Sequence, residues 1–267
     1  MWVPRSQPEP KGQSNPDGIS ETSTPPPAET VAPPSPAPTP VVDTVKRNSS
    51  PILLPGNANR AEIVAVMGMT GTGKTQWLIQ RISKPKRRRL LVWSPKEVID
   101  QYGARFRGAV VTSAEDMRQR MIKAGTGPVC LVFSPPGARK KDTGLFSSFC
   151  EIARAAGNLT VIVEELHTVT QPSAAPDGWS KLCLMGRGYG VEIYALSQRP
   201  ASCDKDFFGN CTMYHTGRLG YLEDAIVMGR LLNVAPTTIM ELPDLHYLER
   251  EPRAVGPALR GVVKIKK

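Results

Sequence analysis

The chain has 267 residues, 40% of them hydrophobic, with 26 prolines and a formal net charge of +10, enough for one large buried core or two small ones. No apolar run approaches the ~18 residues of a membrane span, and the charged, proline-broken start "MWVPRSQPEP" lacks the apolar core of a secretion signal. The five cysteines (Cys130, Cys150, Cys183, Cys203, Cys211) form no Cys-x-x-Cys pair, which excludes a disulfide framework and fits reduced core thiols. Cys203, Cys211 and His215 do not have a zinc spacing either.

Residues 1–58 stand apart from the rest. They include "PPPAETVAPPSPAPTP" and carry four basic against five acidic residues. Such a stretch has too little apolar surface to offset its ordering entropy, so it reads as a disordered, partly polyproline arm, either a passive tail or a docking segment. Subtracting it leaves 30 basic and 19 acidic residues in 59–267, a net charge of +11 on the part expected to fold. A basic domain of this kind calls for a polyanionic partner, nucleic acid before membrane.

Along that domain, strands and helices alternate. "AEIVAVMG" (61–68) reads as a strand ending at a glycine. "KTQWLIQRIS" (74–83) spaces Trp77, Leu78, Arg81 and Ile82 as an amphipathic helix does. "RLLVWSP" (89–95), "AVVTS" (109–113) and "PVCLVFSPP" (128–136) read as three further strands. A helix over 144–156 leads to the apolar strand "LTVIVEELH" (159–167), which ends in two carboxylates. A helix over 179–190 precedes a buried strand, "VEIYALSQRP" (191–200). A helix over 221–234 follows, and "VVKIKK" closes the chain as a strand or tail. Alternation of this kind, with near-continuous apolar strands, predicts an α/β fold with a mostly parallel central sheet covered by helices on both faces. Ligands of such sheets bind beyond the carboxyl ends of the strands.

Three candidate segments fall at those ends. The first, "GMTGTGKT", has the spacing Gly-x-x-x-x-Gly-Lys-Thr of a phosphate-binding loop. Gly68, Met69, Thr70, Gly71, Thr72 and Gly73 would wrap phosphates with backbone N–H groups, Lys74 would reach the β- and γ-phosphates, and Thr75 would take a place on Mg²⁺. The second is the pair Glu164 and Glu165. One carboxylate can hold the Mg²⁺ shell, assigned here to Glu164, and Glu165 can orient and polarise an attacking water. The third is Gln198, whose neutral amide can donate to a γ-phosphate oxygen and accept from that water. The expected ligands are therefore ATP and Mg²⁺. Arg199 beside Gln198 could stabilise transition-state charge or simply pair with the acids, and Arg187 in "MGRGYG" could do the former or be a solvated arginine near a helix end.

In combination and in order, "GMTGTGKT", "LLVWSPKE", "VIVEELH" and "GRGYGVEIYALSQRP" resemble the FtsK–HerA superfamily of DNA-pumping ATPases, and within it the small phage genome-packaging ATPases. The resemblance covers about 200 residues. It implies a RecA-like P-loop NTPase of the ASCE type, Mg·ATP at subunit interfaces and a homo-hexameric ring with double-stranded DNA in its channel. It also implies Arg187 as a finger acting in trans, work in the host cytoplasm or on the virion, and a capsid or portal-vertex protein as a further partner. Two positions depart from the pattern. Glu164 stands where aspartate is common, and Ser94 replaces the acid of "Trp-Asp-Pro-Lys"-like runs.

Two basic stretches could meet DNA. "KPKRRR" (84–89) is expected at the amino edge of the sheet and "GARKKDTG" (137–144) at the nucleotide edge; each either tracks phosphates or solvates a loop. The alternative functions are a repair or plasmid-transfer motor and a regulatory module that binds ATP only to set assembly. A phage-assembly ATPase of the Zot type would be expected to carry a membrane span.

Overall fold

β1 (Ile63–Met67) is apolar at all five positions, and all five side chains are buried. A strand with no polar face needs cover on both sides. The chain supplies it, as the computed structural model shows for residues 61–82, 89–136 and 143–265. The arm (1–58) and most of the two basic stretches lie outside these residues.

Ile63, Ala65 and Met67 point into one apolar cluster, with side chains of α4 (Ala114–Ala124), α5 (Thr143–Ala156), α6 (Asp177–Met185), α7 (Lys205–Asn210), α8 (Leu222–Leu232) and α9 (Pro236–Met240). Val64 and Val66 point into a second, with α1 (Lys74–Ile82) and Tyr102 of α3 (Tyr102–Phe106). The sheet is thus the middle layer of three, as its apolar strands require. No helix among the described residues is long and apolar enough to cross a membrane.

Among the described residues nine strands form one sheet, in the order β3-β4-β2-β5-β6-β1-β7-β8-β9. Its strands are β1, β2 (Arg89–Trp93), β3 (Ala109–Val111), β4 (Val129–Phe133), β5 (Leu159–Val163), β6 (Val191–Ser197), β7 (Met213–Thr216), β8 (His246–Arg250) and β9 (Leu259–Val262). All pairings from β3 across to β7 are parallel, and β7–β8 and β8–β9 are antiparallel. This is the RecA-like arrangement, in which β6, carrying the "SQRP" segment, lies between the phosphate-loop strand β1 and the acid strand β5. Register aligns the three strand ends: Met67 pairs with Ser197, and Val163 with Ala195 and with Trp93.

The predicted elements are present with shifted ends. The strand expected over 159–167 stops at Val163, and the one over 191–200 stops at Ser197. In both cases the candidate side chains begin where pairing ceases. The helix expected over 179–190 is α6 up to Met185, followed by a 3₁₀ turn, Gly186–Tyr189. The closing strand is β9 and overlaps "VVKIKK" only at Val262. A short helix α2 (Glu97–Asp100), together with α3, α4, α7, β7 and β8, was not read from the sequence.

One face of the core is aromatic. Trp93 contacts Phe133, Phe146 and Phe149 with ring centroids 5.0–5.6 Å apart, and Phe146 leads through Trp179 to Phe207. α5 and α6 approach closely enough to hold these rings because position 178 has no side chain. The Gly178 N–H donates to Ser147 Oγ at 2.9 Å, and a Cβ there would run into the Ser147 carbonyl. Backbone cannot yield as a flexible side chain can. Gly178→Ala is therefore expected to destabilise the domain by about 1–3 kcal/mol. Thermal melting checks it: a drop of several degrees is expected, and an unchanged midpoint would show that α6 tolerates displacement.

Candidate functional site

The phosphate loop is pinned at its base by its neighbours in the sheet. Gly68 N–H donates to Ser197 O at 3.2 Å, Met69 N–H to Arg218 O at 2.8 Å, and Gly217 N–H to Met67 O at 2.9 Å. Gly68, Gly71 and Gly73 stand at φ 145°, 84° and 88°, where a side chain would be strained, so the loop can turn its N–H groups toward a phosphate. α1 begins at Lys74. The Lys74 ammonium donates to the loop's own Gly68 O (2.7 Å) and Met69 O (3.0 Å), and burial holds its pKa below the ordinary value although Glu164 and Glu165 pull it up.

Glu164 continues β5 on the nucleotide edge, its N–H donating to Trp93 O at 3.0 Å. Its carboxyl is buried and accepts from the Tyr102 hydroxyl. Burial pushes the Glu164 pKa up to about 7, and that of Tyr102 is driven up as well. Glu165 is built differently. Its backbone is left-handed (φ 51°), a conformation that a non-glycine residue adopts at some cost, braced by the Thr168 hydroxyl on its carbonyl at 2.8 Å. Glu165 Oε1 accepts from the Lys96 ammonium and from Gln198 Nε2 (3.0 Å), and His167 Nδ1 lies 3.4 Å from Oε2. Burial raises the Glu165 pKa, but Lys96 outweighs it, leaving this carboxyl below the ordinary range.

Gln198 closes the site. Its carbonyl accepts from the Thr70 hydroxyl at 2.8 Å while its amide donates to Glu165, so the glycine loop, Gln198 and Glu165 form one hydrogen-bonded chain. The structure brings together Lys74, Thr75, Glu164, Glu165 and Gln198. It does not bring Arg187 to them. Arg187 Nε donates to Ala61 O at 3.0 Å, just before β1 and hence on the opposite edge of the sheet, about 23 Å from Gly68 by strand rise. Arg199 shares the edge with Gln198 but is engaged by its own chain: Nε donates to the buried Asp224 Oδ2 at 2.9 Å, and the guanidinium lies 4.5 Å above the Tyr221 ring. Asp224 also accepts from Ala201 N–H at 2.9 Å, which fastens the whole "SQRP" turn to α8. Ser94 is buried at the end of β2, and no bond joins it to the phosphate loop or to Glu165.

Lys96, Tyr102 and Asp224 were missed as site residues. Lys96 lies in the quoted run "SPKE", and its closeness to Glu165 follows once β2 is known to pair with β5. Tyr102 sits on a five-residue helix with no periodicity to read.

The donor set suits Mg²⁺. Thr75 hydroxyl and Glu164 carboxyl are hard oxygen ligands, and a carboxyl this buried gains most from a nearby cation. Two protein oxygens are what Mg²⁺ ordinarily takes in sites that otherwise use water and phosphate.

A glycine loop between strand and helix, its lysine, and acids and a glutamine on adjacent strand ends define a nucleotide-binding P-loop NTPase domain of RecA-like fold. No protein-family model matches the chain. It is similar to Protein P9 of Pseudoalteromonas phage PM2, with 28% identity over 185 residues, 67% of this chain and 79% of that one. Its fold matches the genome packaging NTPase B204 of Sulfolobus turreted icosahedral virus 2, solved in complex with ATP-gammaS, at a TM-score of 0.60 and 14% identity over 78% of this chain and 98% of the other. VirB4 of Thermoanaerobacter pseudethanolicus matches at 0.52 and 9% identity, covering 81% and 92%. The resemblance read from the motifs and these neighbours agree.

With a folded-state pKa above that of the unfolded chain, the contribution of Glu164 to stability is intact below about 4.5 and is lost as pH rises toward about 7. Glu164→Gln removes that loss. The nucleotide-free variant is expected to exceed the parent in stability by up to about 3 kcal/mol near pH 8, with the gap closing near pH 5. Denaturant titration at both pH values measures it, and a pH-independent difference would contradict the assigned shift.

Proposed function

We propose that this chain is a Mg-dependent ATPase of the FtsK–HerA type that drives double-stranded DNA, as a viral genome-packaging motor working as a homo-hexameric ring. The observation that carries this reading is the bonded chain Thr70–Gln198–Glu165, which links a phosphate loop to a water-orienting acid through a neutral sensor. A module that only bound nucleotide would not need the acid. The likeness to B204 supports the packaging role, the likeness to a phage protein supports a viral setting, and the charge of +11 on residues 59–267 supports a polyanionic cargo.

In this mechanism the loop N–H groups and Lys74 hold the phosphates, with Lys74 exchanging its bonds to Gly68 O and Met69 O for phosphate oxygens. Thr75 and Glu164 would hold Mg²⁺, which neutralises phosphate charge when bound. Glu165 orients the attacking water and takes its proton, and Gln198 reports the presence of the γ-phosphate to the "SQRP" turn. Arg199 passes that state on to α8 through Asp224. Arg187 faces the wrong edge to serve its own subunit, which supports its acting on a neighbour. The arm, 1–58, is then available for a capsid or portal-vertex protein, and the work is done in the host cytoplasm or at the virion.

Glu165→Gln should keep ATP binding and lose about 10² or more in turnover, whereas Lys74→Ala should lose binding itself. Turnover at the parent rate in the first variant would remove Glu165 from the mechanism. Stimulation of the parent ATPase by duplex DNA tests the cargo in the same assay, and a rate indifferent to DNA favours the regulatory reading.

The ring is tested by mixing two dead variants. Lys74→Ala subunits still present Arg187, and Arg187→Ala subunits still bind ATP. Mixed rings should regain part of the activity, each single loss being on the order of 10³. No recovery at any ratio, with both variants assembled, rejects a shared site.

A further inference from the structure

Two exposed apolar pairs lie at opposite edges of the sheet, each beside a group of the proposed machinery. Val98 and Ile99, on α2 at the nucleotide edge, are 92% and 74% exposed. Leu184 and Met185, the last residues of α6 at the amino edge, are 72% and 37% exposed. Single aliphatic residues scattered over a surface are ordinary, whereas adjacent ones held in a fixed place point to a partner.

α2 is fixed although it buries nothing. The Ile99 and Asp100 N–H groups donate to Lys96 O at 2.8 and 2.9 Å, Glu97 Oε1 accepts from Gly103 N–H at 2.6 Å, and the buried Tyr102 anchors the chain directly afterwards. The exposure of Val98 and Ile99 is therefore not fraying. They also stand close to the site, since Asp100 lies within Coulombic reach of Lys74, Glu164 and Glu165.

Leu184 travels with Arg187. The backbone stays right-handed through Met185 and Gly186, so Leu184 and Arg187, three residues apart, are neighbours on the helical surface. Any arrangement that brings Arg187 of one copy to the nucleotide edge of another brings Leu184 with it. At that edge α2 offers the open apolar surface. Tyr221 and Leu222, beyond β7, are exposed as well, but the Arg199 guanidinium already lies 4.5 Å above the Tyr221 ring. Charge agrees with this choice. α2 contains Glu97 and Asp100 and no basic residue, while Leu184 stands between Arg187 and Lys181, whose ion pair with Asp177 is at the surface.

We propose that Leu184 and Met185 of one copy pack against Val98 and Ile99 of the next, an apolar contact that seats the first copy's Arg187 in the second copy's nucleotide site. The contact joins unlike surfaces head-to-tail, the kind that builds rings and not two-fold pairs. It rests on the reading of Arg187 as acting on a neighbour, and it names the surface that carries the arginine there.

Cross-linking of the full chain tests the contact. Ile99→Cys and Leu184→Cys are made singly and together and mildly oxidised; the native cysteines are buried or half-buried and compete little. The double variant should link from copy to copy into a ladder on a non-reducing gel. Each single variant should stay unlinked, because the two surfaces differ, and an equal mixture of the singles should give linked dimers. A second readout needs no cysteine. Ile99→Asp should prevent ring assembly in sedimentation and lower turnover about as far as Arg187→Ala does, on the order of 10³. Its nucleotide affinity should stay within about twofold and its melting temperature should hold, the side chain being exposed. Ile99→Leu keeps the apolar surface and should retain both assembly and turnover.

No link in the double variant or the mixture overturns the contact, and so does linking within either single variant. An Ile99→Asp chain that assembles and turns over as the parent does overturns it too. A link from Leu184→Cys to Tyr221→Cys in place of Ile99→Cys would reject α2 as the receiving surface. Failure of the underlying reading looks different: Arg187→Ala would then turn over at the parent rate while the ladder still formed.

Discussion

Two adjacent carboxylates have to be kept under a phosphate loop at the end of a buried strand, and the rest of the site is arranged around that requirement. Side by side in a dry environment, both cannot be charged without help. The fold answers each one separately. Glu164 is buried deeply enough that its pKa rises to about 7, and Tyr102 donates to it. Glu165 keeps its charge because Lys96 and Gln198 donate to it. Neighbouring residues of identical chemistry thereby acquire opposite pKa shifts, as the proposed division between a metal ligand and a water-orienting acid requires.

Holding that pair depends on strand order. β5 lies between β2 and β6, so it meets Lys96 on one side and Gln198 on the other, while β6 in turn carries the phosphate loop's neighbour, β1. Each strand brings its functional group to the carboxyl edge because the pairing is parallel and in register there. The same geometry sends Arg187, which precedes its strand, to the other edge. A residue before a strand and a residue after it cannot share a site in one parallel sheet, so Arg187 does not meet Gln198 within its own chain. Arg199, three-dimensionally beside Gln198, is instead part of the joint between sensor turn and α8.

The phosphate loop and the acid and glutamine positions were legible because their signals are local. A glycine spacing, an apolar run and the polar residues that end it are contiguous in the chain, and β1, β5, β6, α1 and α5 follow the same logic. The missed elements had weaker local signals or mixed polarity. β8 buries one residue of five, Leu248, and β7 is four residues long with His215 in its middle. α4 was readable in hindsight, since Ser113 caps it and Met117 and Met121 form its buried stripe. Strand ends were overrun by the sequence reading at 163 and 197, where apolar pattern passes into site residues and only lost pairing marks the boundary.

By itself, then, the sequence determined that this is an α/β nucleotide-binding domain whose Lys74, Thr75, Glu164, Glu165 and Gln198 lie at strand ends, because loop spacing and apolar runs are properties of neighbouring residues. Only the tertiary structure decided which of them touch, that Lys96 and Tyr102 complete the acid pair, that Arg199 is tied to Asp224, and that Arg187 is turned away. Those outcomes depend on which strands pair and in what register, and pairing is fixed by burial summed over residues tens to more than a hundred positions apart, which no local pattern records.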